Sequence, residues 1–332
     1  MDRVKCAYEN LDTESEQLLN ENYTIQFRKN NIKCEGFFLP FSFKKFAEAI
    51  RKMEVRDDDI WVCSFPKAGT TWVQEMVWCL ANGKHHEDIR KPINDRFQFL
   101  EFSAILDFTT VKGLPENSIG DIEKLASPRY IKTHLPFNLL PEKLQNFSTN
   151  AKVIHVMRNS RDTLISYYHH HKLFHDYKGS FPQFVELFFK GLVYYGPFPV
   201  HLKGYLALEK NPKILFLKYE EMQKDLKSVI RKTSNFIDKS ISESETETLL
   251  DHLSFSSMKN NPAVNYTKNL EERKQLKLVD DTACDFQWIL FSGGVVKQKQ
   301  ILTCRGASGN ILACVYASGT GTVKTNFNGE CY

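Results

Sequence analysis

A three-layer α/β fold with a central parallel sheet is predicted by three observations. There are four short apolar, β-prone runs, a helix-period stretch follows each of them, and the candidate polar residues gather at the carboxyl ends of the runs. The first run, Ile60-Trp61-Val62-Cys63-Ser64-Phe65, breaks at Pro66 and Gly69 and gives way to Trp72, Val73, Met76, Val77 and Leu80 at helical spacing. The second, Arg129-Tyr130-Ile131-Lys132-Thr133, stops at His134 and Pro136 before a helix-like stretch from Leu139 to Leu144. The third, Lys152 to Met157, runs into Arg158-Asn159-Ser160-Arg161-Asp162 and then a helix through Leu164, Ile165 and Tyr168. The fourth, Lys213 to Leu217, is followed by Tyr219 and a helix through Met222, Leu226 and Ile230. Upstream, Phe43, Phe46, Ala47 and Ile50 space a short amphipathic helix.

A chain of 332 residues, 42% hydrophobic, is long enough to bury a full core. Its formal charge of +4 is too small for a nonspecific nucleic-acid binder, so an anion site has to be local. The eight cysteines include no Cys-x-x-Cys pair and no zinc spacing, and they read as reduced, buried thiols. The acidic stretch from Met1 to Leu19 holds no apolar run of signal-peptide length, and nowhere do 18 apolar residues follow one another. A soluble, cytoplasmic protein that enters no membrane is the expectation, and Asn22-Tyr23-Thr24 and Asn265-Tyr266-Thr267 are then chance sequons.

Between the first strand and its helix lies Phe65-Pro66-Lys67-Ala68-Gly69-Thr70-Thr71-Trp72. A glycine turn in that position lets backbone N–H groups converge on an anion at a helix N-terminus. Lys67 precedes Gly69, whereas a Walker A lysine follows its second glycine, so a nucleoside triphosphatase is disfavoured.

The octapeptide resembles the 5′-phosphosulfate loop of the cytosolic sulfotransferases, here of the insect-like cytosolic type, whose usual form is Tyr-Pro-Lys-Ser-Gly-Thr-Thr-Trp; Phe65 and Ala68 are the two departures. That resemblance implies a P-loop-like sulfotransferase fold. It also implies transfer of a sulfuryl group from 3′-phosphoadenosine 5′-phosphosulfate (PAPS), with no metal, to a hydroxyl of a small apolar acceptor such as a phenol, a steroid or another alcohol. By the same resemblance Lys67 stabilises the leaving group. Ala68 and Gly69 lie in the phosphate-binding turn, Thr70 and Thr71 hydrogen-bond the 5′-phosphate, and Trp72 stacks on adenine.

Further segments follow in the family's order. Lys132-Thr133-His134-Leu135-Pro136 resembles the strand end whose histidine takes the acceptor proton and whose lysine supports the sulfuryl oxygens. Arg158, with Ser166 eight residues later, resembles the 3′-phosphate segment, where a guanidinium clamps phosphate and a hydroxyl adds a donor. Tyr219 matches a tyrosine that reaches adenine. In His252-Leu253-Ser254-Phe255, Phe255 would sandwich the base against Trp72, while Leu253 stands where the family usually has threonine. The triplet His169-His170-His171 invites a metal reading, but neighbours on a helix point in different directions and no partner spacing supports one. Of the aromatics at Phe181, Phe184, Phe188, Phe189, Tyr194, Tyr195 and Phe198, some are read as core and some as lining for an apolar acceptor pocket.

The resemblance spans roughly residues 37–267, giving a polar N-terminal segment (1–36), a sulfotransferase domain (37–267) and a divergent tail (268–332). The family's Arg-Lys-Gly-x-x-Gly-Asp-Trp segment, which closes over the 3′-phosphate, is not found, and Arg305-Gly306 lacks the rest of it. The last 40 residues instead hold seven of the sixteen glycines and show no helix period, though 300–304 and 311–316 could be strands. A splice product or gene-model error is the preferred reading of this tail, and a divergent ending with anion contacts of its own is the other. A catalytically impaired member that only binds a nucleotide or small ligand is therefore the alternative function. A homodimer stays open as a partner, although the family's Lys-x-x-x-Thr-Val-x-x-x-Glu dimer element is absent.

Overall fold

The computed structural model describes residues 6–24, 30–83, 85–105, 116–266 and Glu271. The chain divides into two units, Met1–Gly293 and Gly294–Tyr332, and every described residue belongs to the first. The tail segments at 300–304 and 311–316, and Thr267, lie outside the described residues.

Strands β1 (Tyr8–Asn10), β2 (Asn31–Cys34) and β3 (Phe37–Pro40) make a small antiparallel sheet in the order β1-β2-β3. The β2–β3 hairpin turns on Glu35 and Gly36, both at positive φ (51° and 81°), as a two-residue turn matched to strand twist requires. Helix Thr13–Asn22 joins β1 to this sheet, its N-terminus capped by Asp12, which accepts the Ser15 N–H at 2.7 Å. Part of the polar opening segment is thus folded, and its Leu19, 2% exposed, belongs to the main core.

The central sheet has five strands, β4 (Ile60–Ser64), β5 (Gln98–Phe99), β6 (Tyr130–Thr133), β7 (Lys152–Met157) and β8 (Ile214–Lys218). Their order is β5-β6-β4-β7-β8, and every pairing is parallel. Four of these are the expected strands; β5, two residues long, is an addition at the edge. Alternation along β4 splits its side chains between two cores. Trp61 and Cys63 pack with Phe43 and Ile50 of helix Phe43–Lys52 and with Tyr167, Phe184 and Phe188. Ile60 and Val62 pack with Val73 and Val77 of helix Thr70–Asn82, with Ile230 and with Leu249. Helices cover both faces, which is the three-layer arrangement. Each large apolar side chain buried this way contributes roughly 1.5–3 kcal/mol.

At the amino ends of β4 and β6 a buried ion pair sets the register. Arg129 donates through Nε to Asp59 Oδ1 (2.7 Å) and through Nη2 to Oδ2 (2.5 Å), with both side chains at most 1% exposed. From β4 the chain runs out to β5 and β6, then crosses to β7 on the other side of β4. The winding therefore reverses between β4 and β7, and a crevice at the carboxyl ends of two such strands is where doubly wound sheets bind ligands.

Candidate active site

The loop after β4 opens into that crevice. Lys67 sits at φ +69° and Gly69 at φ +106°. A non-glycine residue in the left-handed region carries roughly 1–3 kcal/mol of strain, which the surrounding fold must hold in place. At Gly69 a side chain is excluded twice, by its φ and by space, since a Cβ would come within 2.7 Å of Tyr219 Cδ2. Helix Thr70–Asn82 starts directly after this glycine, so its first N–H groups face the loop. Thr70 is buried, with Oγ1 2.6 Å from Ser64 Oγ, while Thr71 and Trp72 are half-buried at the mouth.

The second wall comes from β7. Arg158, 7% exposed, donates through Nη1 to the Lys67 carbonyl at 3.2 Å, and its guanidinium carbon lies 4.3 Å from the centre of the Tyr219 ring. Asn159 caps helix Ser160–Phe174 by accepting the Asp162 N–H at 2.9 Å, and it donates to Glu220 Oε1, tying the ends of β7 and β8 together. Two polar atoms here are buried without a hydrogen-bond partner, Arg158 Nε and Ser166 Oγ. An unmade charge-assisted bond at a buried guanidinium is costly, and this pair has donors to offer an anion.

The third wall is the end of β6. His134 donates through Nδ1 to the Ser64 carbonyl at 2.9 Å, and because a carbonyl only accepts, Nδ1 carries the hydrogen and Nε2 keeps its lone pair. The His134 backbone is held from both sides. Its N–H donates to Glu101 Oε1 at 2.7 Å, and its carbonyl accepts from His201 Nε2 at 2.9 Å. Glu101 also accepts from Thr133 Oγ1 at 2.8 Å and is fully buried, and burial pushes its carboxyl up to about 7. The His134 ring meets Phe99 and Tyr195 edge-on, with centroids 5.4 and 5.6 Å apart. Lys132 Nζ lies 4.4 Å from the centre of the Phe99 ring.

Burial, then the Lys132 charge, pushes the His134 imidazole down to about 3, with His201 and Lys67 adding to the effect against the Ser64 carbonyl. Burial, then Arg158 and Lys132, pushes the Lys67 ammonium down to about 7. Three basic side chains thus share one crevice, and an anion bound there would favour the charged form of Lys67.

Eleven of the twelve residues singled out from the sequence lie at or near the carboxyl ends of β4, β6, β7 and β8 or in the helices that follow them; Phe255 lies in helix Phe255–Asn260. Trp72 and Tyr219 meet edge-on at 5.6 Å, and Trp72 Nε1 donates to the Leu253 carbonyl at 3.0 Å. Phe255 begins helix Phe255–Asn260 and is 47% exposed, and among the described residues no ring pair joins it to Trp72. The histidine triplet splits up, with buried His171 bonded through Nδ1 to Tyr23 Oη at 2.8 Å and His170 against Phe174 at 4.9 Å. Of the aromatic run, Phe184, Phe188, Tyr195 and Phe198 are buried, while Phe189 is 51% exposed. Phe65 anchors the apolar side, its ring 5.0 Å from Phe198 and 5.5 Å from Tyr167. Sequence reasoning missed Glu101 and His201, read Ser64 only as the end of a strand, and set Tyr195 among aromatics divided between core and acceptor pocket. Only Glu101 left a trace, as a lone acid inside Phe99-Leu100-Glu101-Phe102.

A doubly wound sheet with a strained lysine loop, a buried arginine whose Nε has no hydrogen-bond partner and a neutral histidine make a crevice suited to an anion. Comparison with known proteins is more specific. Residues 57–281 match the sulfotransferase domain model, so the chain belongs to the sulfotransferase family. Luciferin sulfotransferase of Photinus pyralis is 42% identical over 73% of this chain and 68% of its own length. Human sulfotransferase 1E1 is 32% identical over 77% of this chain and 85% of its own. Retinol dehydratase, crystallised with retinol and PAP, superposes with a TM-score of 0.75 at 27% identity, covering 84% of this chain and 87% of that one. No helix among the described residues is long and apolar enough to cross a membrane.

Proposed function

We propose that this chain transfers a sulfuryl group from PAPS to a hydroxyl of a small apolar acceptor. The observation that carries this reading is the buried, unpartnered Arg158 Nε and Ser166 Oγ facing the Lys67 loop across the crevice. They supply donors for the 3′-phosphate, while the Thr70 helix end and Lys67 hold the 5′-phosphosulfate. The PAP in the solved relative supports the same assignment. Trp72, Tyr219 and Phe255 would bind adenine.

The acceptor hydroxyl approaches sulfur from the side opposite the bridging oxygen. His134 Nε2 takes its proton as the new S–O bond forms, and the bond from sulfur to the bridging oxygen breaks. The electron pair leaves on adenosine 3′,5′-bisphosphate, where Lys67 meets the growing charge. Lys132 steadies the sulfuryl oxygens, and their own negative charge offsets the low basicity of His134. Phe65, Phe99 and Tyr195 give this site apolar walls, which suits a phenol or a steroid-like alcohol. The retinol and androsterone in the names of solved relatives are both small apolar alcohols. No metal is needed, since lysine and arginine side chains provide the positive charge.

The missing closing segment favours one second reading, a member that binds the nucleotide without turnover. Calorimetric titration tests the donor site common to both. Adenosine 3′,5′-bisphosphate should bind at least about tenfold more tightly than adenosine 5′-phosphate, the worth of a charge-assisted phosphate contact. Arg158→Met should erase that difference. Equal affinity for the two nucleotides in the unmodified chain would refute the 3′-phosphate assignment.

A further inference from the structure

Glu75 is a fully buried carboxylate in the helix that opens at the phosphate loop, one turn beyond Trp72, and the chemistry above makes no use of it. Its Oε2 accepts from Arg96 Nη2 at 2.7 Å, and its Oε1 accepts from His252 Nε2 at 2.7 Å. Arg96 is itself buried, with its guanidinium carbon 4.7 Å from the centre of the Trp78 ring, so the carboxylate is fixed from behind. His252 is the last residue of helix Glu243–His252. The very next carbonyl, that of Leu253, accepts the Trp72 indole N–H at 3.0 Å. Ser254 then caps helix Phe255–Asn260 by accepting the Ser257 N–H at 3.2 Å.

Two side chains three residues apart on one helix therefore hold two consecutive residues of the segment that carries Phe255. One such bond would leave the segment free to pivot, whereas two fix its distance and its rotation. We infer that Glu75, locked by Arg96, is a positioning residue that clamps the 252–255 segment through His252 and so sets the gap between Trp72 and Phe255 in which adenine binds. This rests on the donor reading proposed above. A metal reading competes, because Glu75, Cys79 and His252 bring one ligand atom each within 4.8 Å of one another. The Arg96 guanidinium already bonded to that carboxylate opposes a second cation there.

His252→Ala is the informative variant, because it leaves the buried Glu75–Arg96 pair intact. Calorimetry on the full chain should show adenosine 3′,5′-bisphosphate binding weakened roughly tenfold to a hundredfold, the size of one lost charge-assisted bond. The acceptor KM and the rate at saturating donor should stay as they were. His252→Gln, which can still offer an N–H to Glu75, should recover most of the affinity. Unchanged affinity in His252→Ala, or a loss that His252→Gln fails to repair, overturns the clamp while leaving the donor site standing. Failure of the unmodified chain to bind the nucleotide overturns the donor reading, and the clamp with it.

Discussion

The Ser64 carbonyl, 2.9 Å from His134 Nδ1, takes the one hydrogen of a neutral imidazole and leaves Nε2 as the basic atom of the ring. Replacing that ring removes the proposed proton acceptor without touching the proposed phosphate contacts. His134→Ala should therefore lower single-turnover transfer by about 10²- to 10⁴-fold while leaving nucleotide affinity unchanged, as rapid-quench and titration experiments would read. Because the ring is pushed down to about 3, ionisation of His134 should place no acid limb near pH 6.5 in kcat/KM. Lys67 is shifted in the same direction but stays in the accessible range. Its ammonium is pushed down to about 7 in the free protein, and donor phosphates favour the charged form, so binding takes up a proton above that pH. Affinity for adenosine 3′,5′-bisphosphate should be greatest below pH 7 and fall by up to about tenfold per pH unit above it. Calorimetry in buffers of different ionisation enthalpy should detect the proton uptake, and Lys67→Met should abolish it.

The turn between β4 and helix Thr70–Asn82 is the element on which the proposed donor binding depends, and Gly69 is its tightest point. A methyl group there meets Tyr219 at 2.7 Å and the backbone cannot relax away from φ +106° without moving the loop. Gly69→Ala should abolish measurable nucleotide binding while the circular dichroism spectrum stays that of the folded chain. At the other end of the same strand, the Asp59–Arg129 pair is structural. Asp59→Ala leaves a buried guanidinium without its partner and should destabilise the fold by about 3–5 kcal/mol, seen as a lower denaturant midpoint. These two elements also show what a linear reading can find. Lys67 through Trp72, the stretch from Lys132 to His134, and Arg158 with Ser166 were legible because contiguous chain carries each one. Glu101, His201 and Tyr195 reach His134 only through tertiary contacts, and no spacing along the chain marks them. Strand β5 escaped because two residues cannot display a period, and β1 because Tyr8-Glu9-Asn10 is exposed and mostly polar.

At the scale of the molecule, two cores on opposite faces of a five-stranded sheet leave the strand ends as the place where charged groups gather, and the winding reverses at the same point. That much followed from apolar runs alternating with helix periods, since burial on both faces is what makes such runs continuous. The antiparallel sheet did not, because its strands are only three or four residues long and two of them, β1 and β2, mix polar with apolar residues. With lysine and arginine supplying the charge that a metal would otherwise bring, transfer should persist in EDTA. Incubation of the full chain with sulfur-labelled PAPS and a panel of phenolic and steroidal alcohols tests turnover most directly. Labelled sulfate ester should form from the unmodified chain, undiminished by EDTA and lost in His134→Ala. Tight nucleotide binding with no labelled product from any acceptor, or label that survives His134→Ala, would contradict it.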